Sequence, residues 1–421
     1  MKIRFIHTAD LHLDTPFKGL SEFNKALADK LKDASFQAFR NIIDCCIVKK
    51  VDFLLIAGDI FDTEERSIQA QIRFVTELKR LSGAGIPAYF VCGNHDFLGS
   101  WLDTLQIPGN TIQFGSSLDC ESFHRDRVAL ADIYGISFGT KAVTENLAAR
   151  YERKGNPAPI SIAICHGTIG PAGAHHNYAP FHLSDIQDKQ FDYWALGHIH
   201  KRAIIHDAYP AVVYPGNPQG RDFGESGEKG CYLVEIEPGQ PPQLLFIPTQ
   251  VVRFEKIQID LAGIESIDRL PPQITNAIRA MPAYDERVSC IVQITLTGKT
   301  RLHAQLRKPG EIDGLRSLIM NEGQLLETPF MWIDRIEANT RPDINMDEIE
   351  KGNDFAAELV KLFDNYSDDA AKRTTLLQSL SEELLSAPIK REIVPLSPED
   401  EKDLIERAKW LVLDQILTEL L

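Results

Sequence analysis

Short apolar runs, each stopped by a polar or glycine-containing cluster, set the tightest limit on what this chain can fold into. Lys2–Thr8, Phe53–Ala57, Pro87–Cys92, Ile160–Cys165, Tyr193–Leu196 and Ala211–Tyr214 are the clearest. Runs of that length, apolar at successive positions, suit strands buried on both faces. Between the early ones, Lys25–Lys50 and Ser67–Leu81 repeat apolar residues at intervals of three and four, the helical period. Strand, helix, strand, helix predicts a layered α/β fold. Leu233–Ile236 and Leu244–Ile247 flank Glu237-Pro238-Gly239-Gln240-Pro241-Pro242, a turn between two closing strands.

At 421 residues the chain is long enough for two or three domains. The α/β pattern occupies residues 1–250. Residues 251–341 read as a small α+β domain: a strand over Arg253–Leu261, a helix over Gln273–Met281, a strand over Ser289–Leu296, a helix over Leu302–Met320 and a strand over Met331–Ala338. Arg341-Pro342-Asp343 breaks that pattern, and residues 342–421 form a helical tail: Asp354–Asn365, Ala370–Leu385 and Ser397–Leu420. Ser397-Pro398-Glu399-Asp400 is a helix start, with Pro at the first helical position and acids in the first turn.

Composition excludes several classes. The chain is 43% hydrophobic and 25% charged, as in folded globular proteins. No run is long and apolar enough for a membrane span, and the strand pattern begins at once, without a signal peptide ahead of it. Seven cysteines form no CxxC pair, and four of them (Cys45, Cys46, Cys92, Cys165) sit in apolar stretches as buried thiols, so a reducing cytoplasmic location is expected. Net charge is −15, with 45 Lys+Arg against 60 Asp+Glu. The acidic excess is concentrated in the tail. A polyanion would therefore have to be held by local charge, not by a basic field.

The chemistry-bearing residues stand just past the strand ends. Asp10-Leu11-His12 follows the first strand, and Gly58-Asp59-Ile60-Phe61-Asp62 the second. Gly93-Asn94-His95-Asp96, His166-Gly167 and Gly197-His198-Ile199-His200 follow the runs ending at Cys92, Cys165 and Leu196. Ligands gather outside the carboxyl ends of strands in layered sheets. Each cluster alone could be a turn or a helix cap. Five in order, each behind a strand, point instead to one site. Imidazole, carboxylate and an Asn carbonyl, with no cysteine, suit two divalent ions: manganese first, with magnesium, iron or zinc as alternatives. One carboxylate, Asp59, would bridge them. Two such ions roughly 3.5–4 Å apart activate a water and clamp both oxygens of a phosphoryl displacement. Two dications against two ligand carboxylates would also leave about +2 in the cleft, a local attraction for phosphate.

These five elements resemble the calcineurin-like metallophosphoesterase superfamily, whose pattern is D-x-H, GDxxD, GNHD/E, H and GHxH. Within it, Phe5-Ile6-His7-Thr8-Ala9-Asp10-Leu11-His12-Leu13-Asp14 and Gly58-Asp59-Ile60-Phe61-Asp62-Thr63 are similar to the SbcD-type DNA repair exonucleases. Tyr214-Pro215-Gly216-Asn217-Pro218-Gln219-Gly220-Arg221 and Tyr178-Ala179-Pro180-Phe181 look most like the YhaO branch. The resemblance implies a four-layer β-sandwich flanked by helices, a small α+β cap that selects DNA shape, and a helical tail. It implies Asp10, His12, Asp59 and His200 around one metal, and Asp59, Asn94, His166 and His198 around the other. His95 matches the histidine that protonates the leaving group, with Asp96 beside it as orienter. A histidine titrating near neutrality suits that role, because an alkoxide leaving group is a strong base. Asp62 stands where some archaeal and eukaryotic relatives carry a histidine.

Other residues carry less. Arg221 should lie at the rim and contact a phosphate, and His176, with His175, stands in a loop that could do the same. His7 lies inside a strand as a buried, hydrogen-bonded histidine. Lys49-Lys50 and Arg150–Lys154 read as solvated surface. In the tail, Leu404, Ala408, Leu411, Val412 and Gln415–Leu417 form an apolar helix face that must be covered. In SbcD-like proteins such helices dock on an SMC-like (SbcC/YhaN-type) ATPase, and the phosphoesterase domain forms homodimers. The expected activity is thus a dimetal-dependent phosphodiesterase, a DNA exonuclease or endonuclease of repair. The rival readings are a small-substrate phosphohydrolase, acting on nucleotides or phosphoproteins, and a non-catalytic adaptor for an ATPase.

Overall fold

The computed structural model describes residues 2–14, 27–28, 31–62, 67–99, 106–170, 178–282, 284–320, 329–343, 346, 349, 351–352, 354–384 and 396–419. By internal contacts the chain divides into two compact units. The first comprises residues 1–256, 285–292 and 322–332, and the second the remainder.

Two six-stranded sheets make up the first unit. One contains β1 (Ile3–Thr8), β2 (Phe53–Ala57), β3 (Ala88–Val91), β4 (Thr111–Gln113), β11 (Gly230–Ile236) and β12 (Gln243–Pro248), in the order β12-β11-β1-β2-β3-β4. The other contains β5 (Asp119–Arg125), β6 (Val128–Ile136), β7 (Ile160–His166), β8 (Tyr193–Gly197), β9 (Ala203–His206) and β10 (Ala211–Tyr214), in the order β5-β6-β7-β8-β10-β9. The central strands run parallel: β1 with β2 and β2 with β3 in the first sheet, β7 with both β6 and β8 in the second. Their carboxyl ends therefore share one edge of each sheet.

Side-chain alternation with period two explains the layers. Ile3 and Phe5 of β1, Phe53 and Leu55 of β2, Ile160, Ile162 and Ile164 of β7, and Tyr193 and Ala195 of β8 all enter the core between the sheets. Ile6, Leu54 and Ile56 point the other way. They pack on α1 (Ala34–Lys49) and α2 (Ile68–Gly83) through Phe39, Ile42, Phe74 and Leu78. On the far face of the second sheet, Ala163, Cys165, Trp194 and Tyr214 lie under Tyr151, Phe181 and the short helix α3 (Ser184–Gln187), which contributes Ile186. Helices, sheet, sheet and an outer covering give the four layers expected. His7 continues the inter-sheet face of β1, and its Nδ1 meets the Tyr193 hydroxyl at 2.9 Å. Burial pushes its pKa down to about 3, so it is neutral.

Beyond Gln250 the elements follow the expected order, with one correction. β13 (Val252–Asp260), β14 (Ser289–Thr297) and β16 (Met331–Ala338) form a three-stranded sheet, and β15 (Lys299–Thr300) pairs with β17 (Arg341–Pro342). α4 (Leu270–Arg279) has Pro within its first turn. The single helix expected over Leu302–Met320 is two, α5 (His303–Leu306) and α6 (Glu311–Ile319), because Pro309-Gly310 lies between them and Gly310 adopts φ +85°.

In the tail, α7 (Phe355–Asp368), α8 (Ala370–Leu384) and α9 (Pro398–Glu419) pack on one another. The buried face of α9 carries Ile405, Lys409 and Leu413, with Leu413 against Ala356 and Val360. Lys409 pairs there with Asp364 and Glu406, and the buried Arg373 with Glu401. Leu404 and Leu411 turn outward, 41% and 58% exposed. Of the apolar face expected to need covering, these two leucines lie open, while Ala408, Val412 and Ile416 are half-buried.

Candidate metal centre

Five loops from the two sheets meet at their common edge. The β1 and β2 loops continue side by side beyond their strands: Asp10 N–H donates to Gly58 O (3.0 Å), His12 N–H to Asp59 O (3.1 Å) and Leu13 N–H to Ile60 O (2.9 Å). That ladder aligns Asp10, His12 and Asp59. Asp10, His12, Asp59 and His198 all adopt positive φ, at 52°, 43°, 51° and 100°. Non-glycine residues rarely do so, and they cluster where a site over-determines the backbone.

Three groups of donors converge here: one of His12, Asp62 and His95, and two more whose histidines both approach Asp59. In one of these two, Asp10, His12 and His200 bring ligand atoms within 4.8 Å of one another. His12 Nε2 lies 3.0 Å from His200 Nε2 and 3.8 Å from Asp59 Oδ2. In the other, Asp59, His166 and His198 converge likewise. His166 Nε2 is 3.4 Å from Asp59 Oδ2 and 3.1 Å from Asn94 Oδ1. All seven residues expected as metal ligands are therefore brought together.

Glycines make this approach possible. A Cβ at Gly58 would stand 2.8 Å from His166 Cγ, and one at Gly93 would stand 2.7 Å from His166 Nε2. Neither space is available to a side chain.

Electrostatics test whether cations fit. Asp10 and Asp59 are buried, and neither forms an ion pair with a lysine or arginine among the described residues. Burial pushes the Asp10 carboxyl up, opposed by its histidine neighbours. Burial also opposes the charge on Asp59, but His166 and His12 beside it hold its carboxyl well below the ordinary range. Burial disfavours a charged His166, yet Asp59 and the Ala57 carbonyl outweigh it and lift its pKa to about 9. His166 Nδ1 lies 2.8 Å from Ala57 O, which directs Nε2 at the cluster, as outer partners of metal-binding histidines do. Buried carboxylates, imidazoles and an amide oxygen without thiols suit two divalent ions.

Arg221 stands beside these groups. Its charge holds the His12 pKa down, second only to burial, and also lowers that of Asp62. Its Nη2 is 3.0 Å from His200 Nδ1. His176 lies outside the described residues.

One expected pairing is corrected. Asp96 does not orient His95. Its carboxylate is buried and accepts N–H bonds from Gly93 (2.7 Å) and Ile60 (2.9 Å), tying the β2 and β3 loops together. Burial, reinforced by the Asp59 charge, raises it to about 7. The carboxylate that meets His95 is Asp62, with Oδ1 3.1 Å from Nδ1. That hydrogen bond pulls the Asp62 carboxyl far down, and, against the effect of burial, it raises the His95 pKa. Asp62 is recognisable in the sequence as the second acid of GDxxD, but its partner is not.

A carboxylate outside every motif completes the site. Glu225 Oε1 lies 2.6 Å from His200 Nδ1, and the same side chain accepts from Asn217 and Arg221.

Comparison with known proteins agrees with this geometry. Residues 3–202 match the calcineurin-like phosphoesterase family and residues 254–341 the middle domain of metallophosphoesterase YhaO. The chain is 34% identical over 349 residues to YhaO, an uncharacterized metallophosphoesterase of Bacillus subtilis, covering 83% of this chain and 84% of that protein. The chain belongs to the calcineurin-like metallophosphoesterase family, in its YhaO-like branch. This phosphoesterase is also 27% identical over 265 residues to the DNA double-strand break repair protein Mre11 of Sulfurisphaera tokodaii, covering 62% of this chain and 64% of that one. Among solved structures, a dimetal phosphatase from Danio rerio matches 58% of this chain and 98% of its own, with 12% identity and a TM-score of 0.35. No helix among the described residues is long and apolar enough to cross a membrane.

Proposed function

We propose that this phosphoesterase is a dimetal-dependent phosphodiesterase acting on DNA, working with an SMC-like ATPase. The observation that carries the reading is the sharing of Asp59 between two histidine-containing donor groups, with His95 at their edge. Asp10, His12, Asp59 and His200 would hold one ion, and Asp59, Asn94, His166 and His198 the other. When bound, two divalent ions supply Lewis-acid charge at the phosphate and a nucleophilic water at neutral pH.

The chain's own residues do the rest. Asp62 accepts from His95 Nδ1, so in the imidazolium form the second proton sits on Nε2, and it is this one that passes to the leaving oxygen. Asp62 also favours the charged imidazolium, which keeps that proton available. Arg221 adds a fixed positive charge beside His12, suited to a non-bridging phosphate oxygen.

DNA as substrate is supported by the name that the Mre11 relatives carry. Residues 251–341 would act as the cap that selects DNA shape. Docking on an ATPase is supported by the outward face of α9, where Leu404 and Leu411 lie uncovered. Manganese is the first candidate metal on donor chemistry.

The test offers native and His95→Ala protein, both manganese-loaded, single-stranded DNA, blunt duplex DNA and a chromogenic phosphodiester. DNA cleavage should fall by about 10²–10⁴-fold in the variant while both ions remain bound. Cleavage of the small diester alone, with an ATPase partner present or absent, would replace DNA with a small substrate. Two bound ions and no hydrolysis of either would make the protein an adaptor.

A further inference from the structure

Glu225 lies in the short turn Phe223–Glu225, outside the metal-ligand motifs and four residues past Arg221. Its carboxylate nevertheless collects an unusual set of partners. Oε1 is 2.6 Å from His200 Nδ1 and accepts from Arg221 Nη2 at 3.1 Å. Oε2 accepts from Asn217 Nδ2 at 2.8 Å and from the Arg221 backbone N–H at 2.9 Å. The carboxyl is half-exposed at most, with side-chain exposure of 13%. Burial opposes its charge, but the hydrogen bond with His200 and the Arg221 charge outweigh it and hold it far below the ordinary range.

His200 is pinned from a second side. The Lys229 ammonium donates to the His200 carbonyl at 3.0 Å, and Lys229 has only 8% of its surface exposed. The backbone of Asn217 donates to that same carbonyl at 3.3 Å. Main chain and ring are thus each fixed by a separate contact. At the ring, Nδ1 meets Glu225 Oε1 at 2.6 Å and Arg221 Nη2 at 3.0 Å, and the shorter contact, to the acceptor, places the proton on Nδ1.

We propose that Glu225 is a positioning residue for the metal site that contains His200. An imidazole that donates Nδ1–H to a carboxylate has its Nε2 lone pair free, and here that atom faces His12 Nε2 at 3.0 Å. Glu225 therefore fixes the tautomer and ring orientation that a metal requires, and makes the imidazole a stronger donor. Through its bonds to Arg221 it also sets the distance between that guanidinium and His200. The sites are not equivalent in this respect. His166 is oriented by a backbone carbonyl, which no substitution at 225 disturbs, whereas His200 Nδ1 is met by two side chains, Glu225 and the Arg221 that Glu225 itself holds.

This inference rests on the dimetal reading, and its test separates the two. Metal-free native protein is titrated with manganese while free Mn(II) is counted by its EPR signal, alongside Glu225→Gln, His200→Gln and the double variant. Native protein should bind two ions. Glu225→Gln should weaken one site by about 10–100-fold and leave the other within about threefold. The double variant should bind no more weakly than His200→Gln alone, because the effect of Glu225 passes through that ring. Equal weakening of both sites, no weakening, or an additional loss in the double variant would overturn the assignment. Fewer than two ions in the native protein would overturn the dimetal reading, and this inference with it.

Discussion

Replacing Gly93 by alanine should dismantle the shared part of the metal centre without adding or removing a charge. The new methyl would lie 2.7 Å from His166 Nε2 and closer still to Asp59 Oδ1, where ordinary contact begins near 3.4 Å. Neither neighbour has room to yield. Asp59 Oδ1 accepts from His95 N–H at 2.9 Å, and His166 is held at Ala57 O. The Asp59 carboxylate must retreat by about 1 Å, at an overpacking cost of about 1–3 kcal/mol. A displacement of that size in reacting geometry costs about 10²-fold in rate. Because Asp59 serves both donor groups, occupancy of both sites should fall together. The assay pairs elemental analysis of dialysed protein with hydrolysis of a chromogenic phosphodiester. Gly109→Ala, whose methyl meets nothing within 4 Å, is the control. A Gly93→Ala protein with two tightly bound ions and a rate within threefold of native would refute the close-packed account of the centre.

Two further substitutions address single interactions. Asp62→Asn removes the carboxylate that raises the His95 pKa. The basic limb of the pH–rate profile, where a general acid loses its proton, should then move to lower pH, with the rate at pH 8 down by about tenfold or more. An unmoved limb would mean that His95 does not act through Asp62. His7→Gln tests the buried neutral histidine, whose pKa is about 3 when folded against an ordinary 6.5. The unfolded chain takes up that proton first, so native stability is full above about pH 6.5 and drains as pH falls toward 3. Between those limits the metal-free native protein should lose about 1.4 kcal/mol per pH unit more than His7→Gln, read from urea midpoints at pH 6.5, 5.5 and 4.5. Parallel slopes for the two proteins would refute it.

The legible parts of this fold are the ones buried on two sides. Phe53–Ala57 and Ala211–Tyr214 match the expected strands end to end, because a continuous apolar run leaves little choice of boundary. β5 was not legible. Asp119–Arg125 reads DCESFHR, with Phe123 its one buried side chain, and what makes it a strand is the adjacent β6. Tail helix α9 was located but rotated: its long apolar residues suggested the face of Leu404 and Leu411, while Ile405, the Lys409 stem and Leu413 are buried. A lysine stem covers apolar surface as well as a short aliphatic side chain does, and residue type alone conceals that. The candidate metal donors were legible because each follows a strand end. Their outer partners were not. Asp96 adjoins His95 in sequence yet serves two backbone amides, and Asp62 and Glu225 reach their histidines from loops 33 and 25 residues away.

The separation between ligands and their supports follows from where the backbone is constrained. Four donors sit at positive φ, a conformation costing about 1–3 kcal/mol for each non-glycine residue. Such turns hold only if neighbouring chain fixes them. Here that neighbour is the paired β1 and β2 loops for Asp10, His12 and Asp59, and Asp10 itself for His198, whose N–H donates to Asp10 Oδ1 at 2.9 Å. A donor so held cannot drift far to find its metal, so the ring and carboxylate orientations must already be correct. That demand is met by outer groups chosen for reach instead of sequence position: a strand carbonyl for His166, Glu225 for His200. Two divalent ions held at these donors would give a chain of net charge −15 a concentrated positive site, because its buried acids there are committed to ligand or support roles at fixed distances.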